Sequence, residues 1–418
     1  MQGIRFLQDA LVFGMKPGLE NMKKLCTHFG NPEQSFKSIH VIGTNGKGST
    51  AFYLSEVLEA HGKKTGFFSS PHLVSLQERI RVSGVFISKE DLEFYLKKIQ
   101  QASKIEKISP TFFEILSMLT LLYFRDQKVE YAVLEAGLGG RLDSTAIAKG
   151  AHLILTSVGL DHTEILGNSK EQILKEKLAI GKKGSVLVRH NLGTSLENHA
   201  KVIETSFGFN TQIVLTDTTL KLENLGKHYQ ENASLSLAMA KILLENEYSH
   251  SLALKSLSQS AWLGRMQVLK NKEKKLCFIL DGAHNPAALH RLIQSLQENF
   301  PHQKFPCLFA AVQDKDVQSM FVELKAFVSD WFLTKTDYNR FIEIENLKDI
   351  LETQELKASL SGELSKEFLE DCQNLSQDKP ILVVGSLYLV GAVLNLLKDD
   401  YESLLPLKNL EAFSNETR

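Results

Sequence analysis

VIGTNGKGST, residues 41–50, decides how the rest of the chain is read. The apolar run SIHVI (38–42) has β character, and TAFYLSEVLEAHG (50–62) has the spacing of a helix. GTNGKGS therefore joins a strand to a helix. A glycine-rich turn in that place directs backbone N–H groups and the positive end of the helix dipole at an anion. Lys47 adds a point charge for β- and γ-phosphates, and Ser49 or Thr50 a hydroxyl for metal or phosphate. Gly48 lets the backbone approach the phosphate closely. The stretch departs from G-x-x-x-x-G-K-[ST], because Val41 stands at the first glycine's place and Gly48 where a hydroxyl belongs. It reads as a phosphate loop of another design.

The bulk numbers narrow the class. A chain of 418 residues exceeds what one core organises, so two domains are expected. It is 43% hydrophobic and 23% charged, ordinary for a globular protein. Forty-eight basic against 49 acidic side chains leave a formal charge of −1, which offers no footprint for nucleic acid or an anionic membrane. Cys26, Cys277, Cys307 and Cys372 are scattered, with no C-x-x-C pair, and read as reduced structural thiols. The first 15 residues carry Arg5 and Asp9 and no apolar h-region, so a cytoplasmic protein without a signal peptide is expected, and a monomer. Residues 381–397 are uncharged over a length at the lower edge of a membrane span. ILVV followed by Gly385-Ser386 and then LYLVGAVLNLL reads instead as strand, turn and helix.

The same alternation runs throughout. KTGFFS (64–69), YAVLEA (131–136), HLILTSV (152–158) and SVLVRH (185–190) read as further strands, and FFEILSMLTLLYFRDQ (112–127) as a helix between them. After residue 270 the pattern restarts with LCFILDG (276–282), PAALHRLIQSLQENF (286–300), FPCLFAAV (305–312) and ILVVG (381–385). The expected fold class is α/β: an N-terminal P-loop ATPase domain with a mostly parallel sheet (1–266) and a smaller Rossmann-like domain (272–418). The connector is expected near 264–274, where GRMQVLKNKEKK turns polar.

GTNGKGST resembles the variant phosphate loop of the Mur ligase superfamily, and within it that of the folylpolyglutamate synthase and dihydrofolate synthase family. Further segments carry the resemblance: SSPHLVSLQERIRVSG (69–84), LEAGLGGRLDST (134–145), TSVGLDHTEILGNSKEQILKEK (156–177), HYQENASLSLA (228–238), WLGRMQVL (262–269), ILDGAHNPAA (279–288), AAVQDKD (310–316) and VVGSLYLVG (383–391). Bottom-up, Glu135 ends a strand at the edge where open α/β sheets bind ligands, and a carboxylate there suits Mg²⁺. Asn285-Pro286 is a good helix start. Arg141 could simply pair with Asp143, and Lys177 could be an exposed helix lysine paired with a nearby Glu.

The resemblance implies roles residue by residue. ATP would be held by Thr44, Asn45, Gly46, Lys47, Gly48, Ser49, Asn232 (at adenine), Arg265 and Asp281. Mg²⁺, two ions, would be held by Ser70, Glu135 and His162, with Lys177 carbamylated to supply an oxygen donor. Phe113 and Asp143 would face the folate, and His284, Asn285 and Ser386 the glutamate. Lys47, Lys177, Arg265 and His284 would carry the catalysis. The sequence departs from the family pattern at Leu178, Ala179, Tyr229, Leu263, Gln267 and Ala310.

The activity implied is ATP-dependent amide ligation, adding L-glutamate to dihydropteroate, to reduced folates, or to both, through an acyl phosphate. The partners implied are these small molecules, with neither nucleic acid nor membrane. A peptidoglycan-precursor ligase would share the loop, yet the 42 residues ahead of Gly43 are too few for its nucleotide-sugar domain. A regulatory NTPase would share the loop but would not need the DGAHN segment.

Overall fold

The computed structural model describes residues 2–14, 18–148, 150–271 and 275–401. Two compact units emerge, one of residues up to 71, 77–221 and 229–260, the other of 72–76, 222–228 and 261 onward.

The first unit is built on eight strands: β1 (Lys37–Ile42), β2 (Thr65–Phe68), β3 (Ile80–Val82), β4 (Val85–Phe86), β5 (Tyr131–Glu135), β6 (His152–Leu155), β7 (Val186–Arg189) and β8 (Asn210–Ile213). They lie in the order β4-β3-β2-β5-β1-β6-β7-β8. From β2 to β8 all neighbours are parallel, and the β3–β4 hairpin adds antiparallel at one edge. Strands covered on both faces need apolar residues on both, which is why β2 and β5 are buried at every position. β1 lies between β5 and β6, and the chain leaves it toward β2, on the far side of β5. The loop after β1 therefore opens at a topological switch point, the crevice where such sheets bind ligands.

Helix Lys47–Ala60 follows that loop, and residues 49–55, 57 and 58 are buried, so the phosphate loop is tied to a rigid element. Helix Phe112–Asp126 is buried from Glu114 to Phe124. It is started by a reciprocal capping box between Thr111 and Glu114, and Asn21 Nδ2 adds a donor to the same carboxylate at 3.2 Å.

The second unit holds β9 (Gln267–Lys270), β10 (Leu276–Leu280), β11 (Phe305–Phe309), β12 (Val328–Lys335), β13 (Ala358–Glu363) and β14 (Ile381–Val384). Their order is β13-β12-β11-β14-β10-β9, parallel except for β9. β9 lies within the stretch expected to be a connector; residues 267 and 269 are buried while 270 is exposed, and it pairs antiparallel with β10. Residues 272–274, in the middle of that expected connector, lie outside the described residues.

Residues 381–397 form β14 and helix Leu387–Leu397, joined through Gly385 at φ 112°. Among the described residues no helix is long and apolar enough to cross a membrane.

Candidate active site

The phosphate loop is held from beneath by the residues that follow β6. That strand was expected to run to Val158 but stops at Leu155, because Thr156 and Ser157 turn their hydroxyls to the loop. Thr156 Oγ1 donates to Asn45 O at 2.7 Å, and Ser157 Oγ accepts from Asn45 N at 2.9 Å. Thr44 Oγ1 accepts from Gly159 N at 3.0 Å. Gly43, at φ 150°, lies so close to Thr156 that no side chain fits there. The loop's backbone is thereby fixed, with its N–H groups gathered at the start of helix Lys47–Ala60.

Two lysines meet this loop. Lys47 Nζ folds back to Gly43 O (3.2 Å) and Thr44 O (3.1 Å). Lys177 is 4% exposed and donates Nζ to Gly43 O at 2.7 Å, so it is no surface lysine paired with a Glu. Burial, then the like charge of Lys47, lowers its pKa to about 7 against the opposing pull of Asp161 and Asp143. The Leu178 departure has a structural reason, since its side chain fills a core with Ile42, Leu155 and Leu174. Burying a leucine contributes about 1.5–3 kcal/mol.

The expected metal ligands follow three different strands, Ser70 after β2, Glu135 at the end of β5 and His162 in the loop after β6. Glu135 ends β5, is 5% exposed, and accepts from Ser70 N at 3.0 Å. His162, at φ 48°, opens the short helix Thr163–Leu166 and keeps its imidazole half exposed, 3.8 Å from Asp161. Among the described residues no three or more His, Cys, Asp or Glu side chains form a metal-binding group. Glu135 is the kind of donor Mg²⁺ takes, since that ion binds through one or two carboxylates and completes its octahedron with water and phosphate oxygens.

The glycine loop after β5 brings Phe113 and Asp143 together. Phe113 lies against Gly137, where a Cβ would meet the ring, and 5.7 Å from the ring of Phe68. Asp143 is buried, and its carboxylate organises the loop by accepting from Leu138 N and Thr145 N, each at 2.9 Å, and from Thr145 Oγ1. Burial raises its pKa against those hydrogen bonds. Arg141 pairs with Glu176 at 3.2 Å, not with Asp143, because helix Lys170–Leu178 runs beside it.

Asn232, expected at adenine, is buried against the loop: Nδ2 donates to Ser49 Oγ at 2.8 Å. One turn on, Ser236 Oγ donates to Thr50 O at 2.8 Å. Tyr229, in place of the family's Gln, is buried at 2% exposure.

In the second unit the predicted residues cluster where β10 and β14 end. Asp281 is buried and accepts from Met266 N (2.7 Å) and Ala283 N (2.8 Å), fixing the turn that carries Arg265. Gln267, in place of Glu, closes the same turn through Gly264 N at 2.8 Å. Gly282 leaves room for the Arg265 guanidinium, which a Cβ would strike. His284 Nδ1 lies 2.8 Å from Gly282 O, Asn285 caps helix Pro286–Asn299, and Ser386 caps helix Leu387–Leu397. Asn224, overlooked in the sequence, braces the turn by donating to Trp262 O (2.9 Å) and Arg265 O (2.5 Å).

A cavity of about 540 Å³ at the amino ends of β1 and β6, bounded by Lys37, Lys182 and His152 among others, contains none of the expected site residues.

Residues 41–240 match the Mur ligase middle domain, and residues 264–387 the Mur ligase glutamate ligase domain. The dihydrofolate synthase/folylpolyglutamate synthase of Bacillus subtilis (strain 168) is 30% identical over 430 residues, 94% of this chain and 98% of that one. The Escherichia coli enzyme solved with DHPP and ADP is 26% identical with a TM-score of 0.78, covering 92% of this chain and 94% of that one. A bifunctional folylpolyglutamate synthase/dihydrofolate synthase solved with Mn, AMPPNP and L-glutamate is 26% identical with a TM-score of 0.78, covering 92% and 95%. The chain belongs to the dihydrofolate synthase/folylpolyglutamate synthase family of Mur ligases.

Proposed function

We propose that this ATP-dependent ligase is bifunctional, adding L-glutamate both to dihydropteroate and to reduced folates. The observation that carries the reading is full-length likeness to a relative named for both activities, joined to a fixed phosphate loop with Lys47 over it.

The chemistry follows from what a carboxylate lacks. It is too poor an electrophile for an amine, so one of its oxygens first attacks the γ-phosphorus of ATP and ADP leaves. The glutamate amine then attacks the acyl carbon, loses a proton, and expels phosphate that carries the former carboxylate oxygen. Catalysis of the first step is positioning and charge neutralisation. The loop N–H groups cradle the phosphates, and Lys47 is poised to move its charge from Gly43 O and Thr44 O onto them. A divalent cation, two ions in our reading, held by Ser49 or Ser70, Glu135 and His162, supplies further neutralisation at the phosphates when bound.

A lysine with a pKa near 7 offers a neutral amine at neutral pH, so Lys177 can take up CO₂, release a proton and become a carbamate oxygen donor. We assign Arg265 and Asp281 to ATP, and His284, Asn285 and Ser386 to glutamate. Phe113 and Asp143 take the folate side, Asp143 through the loop whose N–H groups it holds.

The test is incubation with ATP, Mg²⁺ and glutamate, with dihydropteroate or tetrahydrofolate as acceptor, followed by mass spectrometry. One glutamyl unit gained by each supports bifunctionality. Turnover of tetrahydrofolate alone reduces the enzyme to a polyglutamate synthase.

A further inference from the structure

We propose that the cavity at the amino ends of β1 and β6 is a second ligand site, which takes a small polyanion carrying two or more phosphate or carboxylate groups. It lies at the far end of β1 from the phosphate loop, roughly 17 Å away by the rise of a strand. It shares no residue with the ligase site and does not depend on the roles assigned there.

The topology gathers positive charge at this edge. Lys37 opens β1 and His152 opens β6, and the two strands pair with Ile39 opposite His152. Lys182 stands in the turn that leads into β7, the next strand of the sheet. Both lysines are exposed, and among the described residues neither has a carboxylate partner. Their charges reach His152 on the strand between, whose pKa is lowered first by burial and then by Lys37 and Lys182. Lys23 adds a third lysine from helix Glu20–His28, although Glu20 pairs with it at 2.8 Å. Glu33 is the one carboxylate on the lining among the described residues, and it hydrogen-bonds with the buried Cys26 thiol. The site therefore keeps positive charge that no protein group neutralises.

Space and chemistry fit an anion of small-molecule size. The cavity holds about 540 Å³, within the range of small-molecule pockets. Besides His152 its cations are all lysines, compact point charges that suit phosphates and chain carboxylates rather than one planar fork. Asn31 and Gln34 add neutral amide donors, and half-buried Phe36 an apolar wall. The floor is fixed in advance: Ser38 Oγ donates to Ala148 O at 3.0 Å, and His40 Nε2 lies 2.8 Å from Thr145 O. Lysines here also complement helix C-termini, which a parallel sheet places at the same edge. That role needs no cavity, and the test separates the two.

Binding of inorganic tripolyphosphate and of tri-γ-glutamate to the full chain is measured by calorimetry, for the wild type and for Lys37→Gln/Lys182→Gln. Both side chains are exposed, so urea unfolding of the variant should match the wild type. A Lys47→Ala background removes the phosphate loop's charge and isolates the cavity's share of tripolyphosphate binding. In that background the double change should weaken binding roughly tenfold or more, the size of lost hydrogen bonds to a charged group. Lys37→Arg/Lys182→Arg should retain it. Loss of tri-γ-glutamate in the double variant would make the ligand a carboxylate chain, and loss of tripolyphosphate alone a phosphate compound; either supports the site. Equal weakening by Lys97→Gln/Lys98→Gln, on helix Lys89–Ile105 outside the cavity, would mean diffuse attraction of anions and would overturn the proposal. Binding of both probes indifferent to Lys37 and Lys182 would overturn it too, leaving these lysines as complements to helix ends.

Discussion

The two units hold their site residues in different ways. In the first, the loop that meets phosphate is fixed by side chains far away in sequence: Thr156 and Ser157 on Asn45, Lys177 on Gly43, Asn232 on Ser49. In the second, His284 and Asn285 at the start of one helix and Ser386 at the start of another are held by groups two or three residues off. The difference matches the tasks. A phosphoryl-transfer loop must be rigid before substrate arrives, because its catalysis is preorganised charge. A helix start that presents a polar side chain needs only its cap. Changes to the phosphate loop should therefore spread to distant partners, whereas changes to these helix starts should stay local.

The sharpest break is Lys47→Ala, which removes the mobile charge over the loop. A drop in kcat/KM for ATP on the order of 10²–10³ is expected, read in a coupled ADP assay, with stability little changed. Gly46→Ala comes next. It forces a left-handed alanine against Asn232, and should cost about 1–2 kcal/mol in urea unfolding while also weakening ATP binding. Loss of stability with ATP binding intact would show that Asn232 and the loop are not coupled.

Lys177 gives a signature in pH. Its folded pKa of about 7 lies below the ordinary 10.5, so between those values the unfolded chain binds the extra proton. The cost of burying the charge is full below pH 7 and vanishes as pH rises through 10.5, so this group makes stability increase with pH in that window. In CO₂-free buffer the slope should reach on the order of 1 kcal/mol per pH unit, and Lys177→Met should flatten it. The smallest effect is Ser386→Ala, a lost cap worth about 1 kcal/mol. It should raise KM for glutamate and leave tripolyphosphate binding unchanged.

Much of this was legible in the sequence where the signal is local. Strands β1, β2, β5 and β10 are apolar runs, and the phosphate loop announces itself by Gly46, Lys47 and Gly48 between strand and helix. β8 and β13 were missed because their residues are mostly exposed or half-buried and polar, and β12 because Ser329-Asp330 interrupts its apolar run. The same limit applied at the site. Asn285 could be placed at a helix start from Pro286 alone, but the Asn232–Ser49 bond joins residues 183 positions apart. Arg141 pairs with Glu176, 35 positions on, rather than with Asp143 two away, because Asp143 already serves the backbone of its loop. Local rules place caps and turns, while long-range partners need the fold.

The central claim is ligation through an acyl phosphate, and an oxygen label tests it most directly. Dihydropteroate carrying ¹⁸O in its carboxylate is turned over with ATP, Mg²⁺ and glutamate, and the released phosphate is examined by mass spectrometry. The account predicts one ¹⁸O in each phosphate, transferred when the amine displaces it. Phosphate whose added oxygen comes from water would mean that ATP is hydrolysed without activating the acceptor, and would contradict the account.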